Sequence, residues 1–214
     1  MKTLFIPVKS KSKINNSRIL EISKKLPKNL AIAYSIQYKE IAEEIKKILS
    51  KNHSIIKFVQ VLGCSQPLGC SKPQLSKNTQ AILLIGDGKF HAVSLAVETH
   101  LPIYILNNNN FNQISKQEMQ NLEKKQKASY VKFLNATKIG ILVSTKPGQE
   151  NLKKALEFKK QQKIRKSYLF MANDINSAEF ENFPQIQSWV NTACPRLDMN
   201  SNVVNLDKIS KRKQ

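Results

Sequence analysis

The sequence predicts an α/β protein built as two small domains, each with a mainly parallel sheet flanked by helices. Three observations lead there. The apolar runs LAIAYSI (residues 30–36), AILLI (81–85) and KIGILVST (138–145) are continuous instead of alternating, as expected of strands covered on both faces. Between such runs lie stretches with helical apolar spacing. The alternation then begins again after a long stretch rich in lysine and glutamine. That restart sets an expected boundary near Asn135, giving a first domain of residues 1–135 and a second of 136–214 with a basic tail.

Taken in order, TLFIPV (3–8) reads as a first strand. Ser17 is the expected cap of a helix carrying Ile19, Leu20, Ile22 and Leu26, which Pro27 stops. After the strand at 30–36, a helix over 39–50 places Ile41, Ala42, Ile45, Ile48 and Leu49 on one face. IIKFVQVL (55–62) is a strand that runs into Gly63 and Cys64. A turn-rich loop follows, containing LGCS twice, so that Cys70 repeats the setting of Cys64. The strand at 81–85 leads into GDGKFH and a helix over 91–99, then a strand over 102–106, a polar loop over 107–110 and a helix over 115–133. In the second domain a strand (138–145), a helix to residue 162, a strand (167–172), a helix (177–182) and a segment over 187–192 deliver Cys194; the tail DKISKRKQ is expected to be mobile.

Composition narrows the function. The hydrophobic fraction of 41% supports real cores, and no run approaches the length of a membrane span. Three cysteines do not make a secreted disulfide framework, so a reduced cytoplasmic setting is expected. Three thiolates at wide spacing suggest a cluster with three protein ligands and one open iron position, although by cysteine count alone inert buried cysteine is the commoner case. The net charge of +20 invites a nucleic-acid reading, but the lysines are spread along the whole chain and no binding motif accompanies them. No direct nucleic-acid binding is therefore expected. HExxH, Gly-x-Ser-x-Gly and paired CxxC patterns are absent.

In an open parallel sheet, ligands bind outside the carboxyl ends of the strands. Four stretches are expected there: around Cys64, over residues 86–91, over residues 145–149, and around Cys194. Gly86 and Gly88 in GDGKFH permit close backbone approach, and the helix start beyond them favours an anion such as a carboxylate. On spacing alone the same stretch reads more often as a plain strand-to-helix turn, and His91 as a packed first-turn histidine. TKPGQ has the same two readings, with Gly148 at the bend and Lys146 as counter-charge. Arg196 is suited to clamp a carboxylate or to sit in solvent, Asp198 has only proximity in its favour, and Trp189 reads as core.

TLFIPV, QVLGC, ILLIGDGKFHAVSLAV with LPIYIL, GILVSTKPGQ and WVNTACPRLD, in this order, resemble the diphthamide synthase family. These are the 2-(3-amino-3-carboxypropyl)histidine synthases. The resemblance implies three similar α/β domains in a full family member, each contributing one cysteine to a [4Fe-4S] cluster. The cluster's fourth iron position binds S-adenosylmethionine and cleaves it to a 3-amino-3-carboxypropyl radical, which adds to a histidine of translation elongation factor 2. Residue by residue, Cys64 corresponds to the middle-domain cysteine and Cys194 to the last-domain cysteine. Gly86, Asp87, Gly88 and His91 correspond to one loop beside S-adenosylmethionine, and Thr145, Lys146, Pro147, Gly148 and Gln149 to the other.

The chain starts where the family's middle domain is expected to start. Three explanations stay open: a separate first-domain polypeptide, an auxiliary non-catalytic subunit, or Cys70 as the replacement third ligand. The resemblance also implies a homo- or hetero-oligomer. None of His53, His91 and His100 is the expected target histidine.

Overall fold

The structure is a computed structural model that describes residues 8–11, 14–62, 75–86, 89–194 and 202–211. By backbone contacts it divides into two compact units, Met1–Leu122 and Glu123–Gln214. Mainly parallel sheets flanked by helices make up both.

In the first unit, α1 (Asn16–Ser23) precedes β1 (Asn29–Ser35), a 3-10 turn (Ile36–Tyr38), α2 (Lys39–Leu49), β2 (Ser54–Leu62), β3 (Ala81–Ile85), α3 (Lys89–Thr99), β4 (Ile103–Asn107) and β5 (Asn110–Gln113). The sheet order is β2-β1-β3-β4-β5, parallel except for β5. Strict alternation along β1 and β3 feeds both faces. Leu30, Ile32, Tyr34, Leu83 and Ile85 pack under α1 and α2 with Ile22, Ile41, Ile45 and Leu49. Ala31, Ala33, Ile82 and Leu84 pack under α3 with Ala92, Leu95 and Ala96. Each fully buried leucine or isoleucine contributes about 1.5–3 kcal/mol.

α4 (Lys116–Asn135) opens with a capping box: the Ser115 hydroxyl accepts from the Glu118 amide at 3.2 Å, and Glu118 Oε2 accepts from the Ser115 amide at 2.9 Å. The division between the units falls inside this helix. The second unit continues with β6 (Lys138–Ser144), α5 (Leu152–Gln161), β7 (Lys166–Ala172), a 3-10 turn (Ser177–Asn182), β8 (Ser188–Asn191), β9 (Val203–Asn205) and α6 (Leu206–Lys211). Its sheet is parallel throughout, in the order β7-β6-β8-β9. Ile139, Ile141, Val143 and Val190 pack with Phe133, Ala155, Phe158 and Ile209. On the other face Leu142, Ile186 and Trp189 pack with Phe170 and Phe180.

The two units repeat one scheme. In each, the first strand lies inside the sheet, the second lies on one side of it, and the third and fourth lie on the other. A glutamine just before the third strand marks both copies. Gln80 Oε1 accepts from the Asn29 amide at 3.0 Å, and Gln187 Oε1 accepts from the Thr137 and Lys138 amides at 2.6 and 3.1 Å.

Several expectations are corrected. Asn15 caps α1, in place of Ser17, because its carboxamide oxygen accepts from both the Ser17 amide and hydroxyl. Leu26 reaches the core from a turn after the helix. Of the expected first strand, residues 3–7 lie outside the described residues and Val8 belongs to no element. The polar residues after β4 form a tight hairpin into β5, with Asn108 at φ 51°, a backbone region that asparagine tolerates. Residues 177–182 are 3-10, not α. The segment from Val203 to Lys211 is ordered as β9 and α6, and Ile209 is 2% exposed, so core burial holds it.

Candidate functional site at the strand ends

Each sheet has its switch point beside its first strand. In the first unit the chain passes from β1 to β2 on one side and returns to β3 on the other; in the second it passes from β6 to β7 and returns to β8. The crevices outside the carboxyl ends of β1 and β3, and of β6 and β8, are the places such sheets offer a ligand.

In the first unit Gly86 ends β3 with φ 140°, and its amide donates to the Leu106 carbonyl at 3.1 Å. A side chain at this position would strike the Ser35 hydroxyl at the end of β1, whose Oγ lies 2.9 Å from an ideal Cβ. The Ser35 oxygen is buried without a hydrogen-bond partner among the described residues. Asp87 and Gly88 lie outside the described residues, and α3 begins at Lys89, so His91 falls in its first turn. Lys89 pairs with Glu118 at 2.5 Å. This contact, with the two Ser115 hydrogen bonds, lowers the Glu118 carboxyl from 4.5 to about 2. It ties the start of α3 to the start of α4. Cys64 and Cys70, with the loop between them, lie outside the described residues; β2, which leads to Cys64, is separated from β3 by β1.

In the second unit Thr145, Lys146, Pro147, Gly148 and Gln149 follow β6. The Thr145 amide donates to the Ala172 carbonyl at 2.9 Å, which anchors the exit to the end of β7. The Gln149 amide donates to the Lys146 carbonyl at 3.0 Å, closing a turn in which Gly148 has φ 79°. The Lys146 ammonium pairs with Asp174. α5 starts at Leu152, so Gly148 sits in this separate turn and not in the first turn of the helix.

β8 delivers Cys194 to the neighbouring corner. Leu142 and Asn191 are register partners, and Thr192 donates both its amide and its hydroxyl to the Leu142 carbonyl, at 3.2 and 2.7 Å. The turn carrying Cys194 and the turn of residues 145–149 therefore leave adjacent parallel strands at the same edge. Cys194 is half-buried. Arg196 and Asp198 lie outside the described residues; Trp189 is core, 2% exposed.

The cysteines occupy different places in the repeated scheme. Cys64 follows the second strand of its unit, whereas Cys194 follows the third strand of its own. Among the described residues no group of three or more metal-ligating side chains gathers. A half-exposed cysteine on a tight turn at the strand ends fits a thiolate ligand of an iron–sulfur cluster. Asn191 and Asn205, which hold the turn of Cys194, and Asp174, which pairs with Lys146, were not singled out in the sequence. The available signal was an asparagine in an apolar strand, two residues before an alanine–cysteine pair.

A repeated parallel-sheet architecture with a cysteine at a switch-point corner defines the class: an α/β protein of the kind whose strand ends are the usual place for a ligand. The particular family follows from comparison. Residues 1–203 match the family described as "Putative diphthamide synthesis protein", and the chain belongs to it. It is 28% identical over 208 residues to the 2-(3-amino-3-carboxypropyl)histidine synthase of Pyrococcus horikoshii, covering 92% of this chain and 59% of that one. It is 32% identical over 161 residues to the synthase of that name from Methanocaldococcus jannaschii, covering 70% and 42%. Among solved structures, Dph2 from Pyrococcus horikoshii with a 4Fe-4S cluster matches with TM-score 0.72 and 26% identity, covering 93% of this chain and 62% of that one. The chain thus spans about 60% of the length of this solved relative. Among the described residues no helix is long and apolar enough to cross a membrane.

Proposed function

We propose that this chain takes part in transferring the 3-amino-3-carboxypropyl group of S-adenosylmethionine to a histidine of translation elongation factor 2, the first step of diphthamide biosynthesis. The observation that carries the reading is the family match over residues 1–203, together with the place of Cys194 at the corner between β6 and β8. In this reading Cys194 and Cys64 hold a [4Fe-4S] cluster, with Cys70 or a cysteine of a first-domain polypeptide as third ligand. When bound, the cluster supplies the electron that splits the sulfur–carbon bond of S-adenosylmethionine. The rest falls to the chain. The candidate residues for the cofactor's methionyl part are Gly86, Asp87, Gly88 and His91 after β3, and Thr145, Lys146, Pro147, Gly148 and Gln149 after β6. The helix start beyond Gly86 suits a carboxylate. The setting is cytoplasmic, where thiols stay reduced, and the elongation factor is the protein partner.

The test is iron and sulfide content after anaerobic reconstitution, with Cys64→Ser, Cys194→Ser and Cys70→Ala beside the wild type. The reading expects iron to fall on loss of Cys64 or Cys194. About four irons per chain, lost in Cys70→Ala, would identify Cys70 as the third ligand. Mass spectrometry of the elongation-factor histidine after incubation with S-adenosylmethionine and a one-electron reductant reads the transfer itself. A chain that takes up no iron, alone or with a first-domain polypeptide, would overturn the reading in favour of a non-catalytic subunit.

A further inference from the structure

The four residues from Asn191 to Cys194 are tied down one by one. The Asn191 carboxamide is buried, 2% exposed. Its Oδ1 accepts from the Ala193 amide at 2.9 Å. Its Nδ2 donates to the Cys194 carbonyl at 2.9 Å and to Asn205 Oδ1 on β9 at 2.8 Å. Thr192 is fixed to the Leu142 carbonyl of β6. The orientation of the carboxamide follows from its partners, since an amide N–H can only donate and a carbonyl can only accept; turned over, Asn191 would lose both bonds to the turn.

A buried polar side chain in a parallel strand is costly unless every bond is made. An aliphatic residue is the ordinary occupant of such a site. Here the asparagine bonds the backbone on both sides of the peptide that joins Ala193 to Cys194, and Asn205 holds it from the next strand. We infer that Asn191 is the positioning residue for Cys194, fixing the direction in which the thiol leaves the sheet edge. The inference rests on the proposed role of Cys194 as a cluster ligand. A ligand held before the metal arrives loses less conformational entropy on binding and keeps its sulfur at one distance and angle.

The test compares Asn191→Asp and Asn191→Ser with Asn205→Asp in the full chain. Aspartate at 191 still accepts from Ala193 but has no donor for the Cys194 carbonyl. Aspartate at 205 still accepts from Asn191 and leaves the tie to Cys194 intact. The first readout is the alkylation rate of Cys194, followed peptide by peptide against Cys64 and Cys70 in the same molecules. The second is the electron paramagnetic resonance spectrum of the reduced, reconstituted cluster. Both Asn191 variants should raise the Cys194 rate about three- to tenfold, the factor set by the lost bond to the Cys194 carbonyl, and should change the cluster spectrum. Asn205→Asp, which keeps the bond from Asn191 to the Cys194 carbonyl, should change both less than either Asn191 variant does. Melting curves identify a variant that has failed to fold, and the serine variant decides if the aspartate variant does not fold. An unchanged Cys194 rate in the folded Asn191 variants, or an equal rise in Asn205→Asp, would overturn the inference. Iron content unaffected by Cys194→Ser would instead overturn the cluster reading, while the alkylation rates still decide what Asn191 does to the thiol.

Discussion

Gly140 on β6 lies so close to the indole of Trp189 on β8 that an added Cβ would sit 2.4 Å from both Cε3 and Cζ3 of the ring. The ring is held on its other sides. Phe180 stacks on it with centroids 4.4 Å apart, and Phe170 meets it edge-on at 4.7 Å. The missing side chain at 140 is thus filled by the ring of the adjacent strand.

Gly140→Ala should therefore destabilise the second unit by about 1–3 kcal/mol through overpacking. Trp189 is the single tryptophan of the chain, so its fluorescence reports the transition directly. A urea midpoint equal to that of the wild type would contradict the packing described.

Ser35 and Gly86 make an opposed pair of predictions at the ends of β1 and β3. Ser35→Ala should be neutral or slightly stabilising, because it removes a buried hydroxyl with no partner among the described residues. Gly86→Ala should cost about 1 kcal/mol or more, from φ 140° and from the clash with Ser35. The double variant should recover part of the loss, because the alanine then meets no oxygen. Thermal melting of the three variants checks the pattern.

Acid should weaken the junction of α3 and α4. The Lys89 contact and the Ser115 bonds lower the folded-state value of Glu118 from 4.5 to about 2. A depressed carboxyl contributes its stability in full above its unfolded value and loses it as pH falls through the window from 4.5 to about 2. The melting-temperature gap between wild type and Glu118→Gln should be widest near neutral pH and close across that window. A gap that stays constant to pH 2 would show that the ion pair contributes nothing.

The pair between Lys146 and Asp174 should matter little to stability. Its side chains are 41% and 71% exposed, and exposed pairs contribute about 0–1 kcal/mol. Asp174→Asn should shift the urea transition by less than that amount. The turn itself rests on the backbone bonds of Thr145 and Gln149.

Strands and most helices were legible because burial on both faces leaves continuous apolar runs such as AILLI, and α2 shows its buried face at helical spacing. The hairpin into β5 and the final β9 and α6 were not. NFNQ and DKISK are mostly polar, and their place is set by one neighbour each, Leu106 opposite Phe111 and the core around Ile209. The candidate turns at 86, 145–149 and 194 were readable as glycine- or cysteine-bearing strand exits. What fixes them was not: Asn205 lies fourteen residues beyond Asn191 and Asp174 lies twenty-eight beyond Lys146, and no local pattern links such pairs.

By itself the sequence determined the alternation of strands and helices, the restart that makes two units, and the chemical types at the strand exits, because all of these depend on periodicity and residue type within short windows. The tertiary structure alone decided strand order, and with it which exits share a switch point. It set β6 beside β8, so that Cys194 and the turn after Ser144 meet at one edge, and it kept β2 one strand away from β3. Strand order is a choice among long-range pairings whose local sequences look alike. It is settled by packing two faces of a sheet at once, which no single stretch of chain can encode.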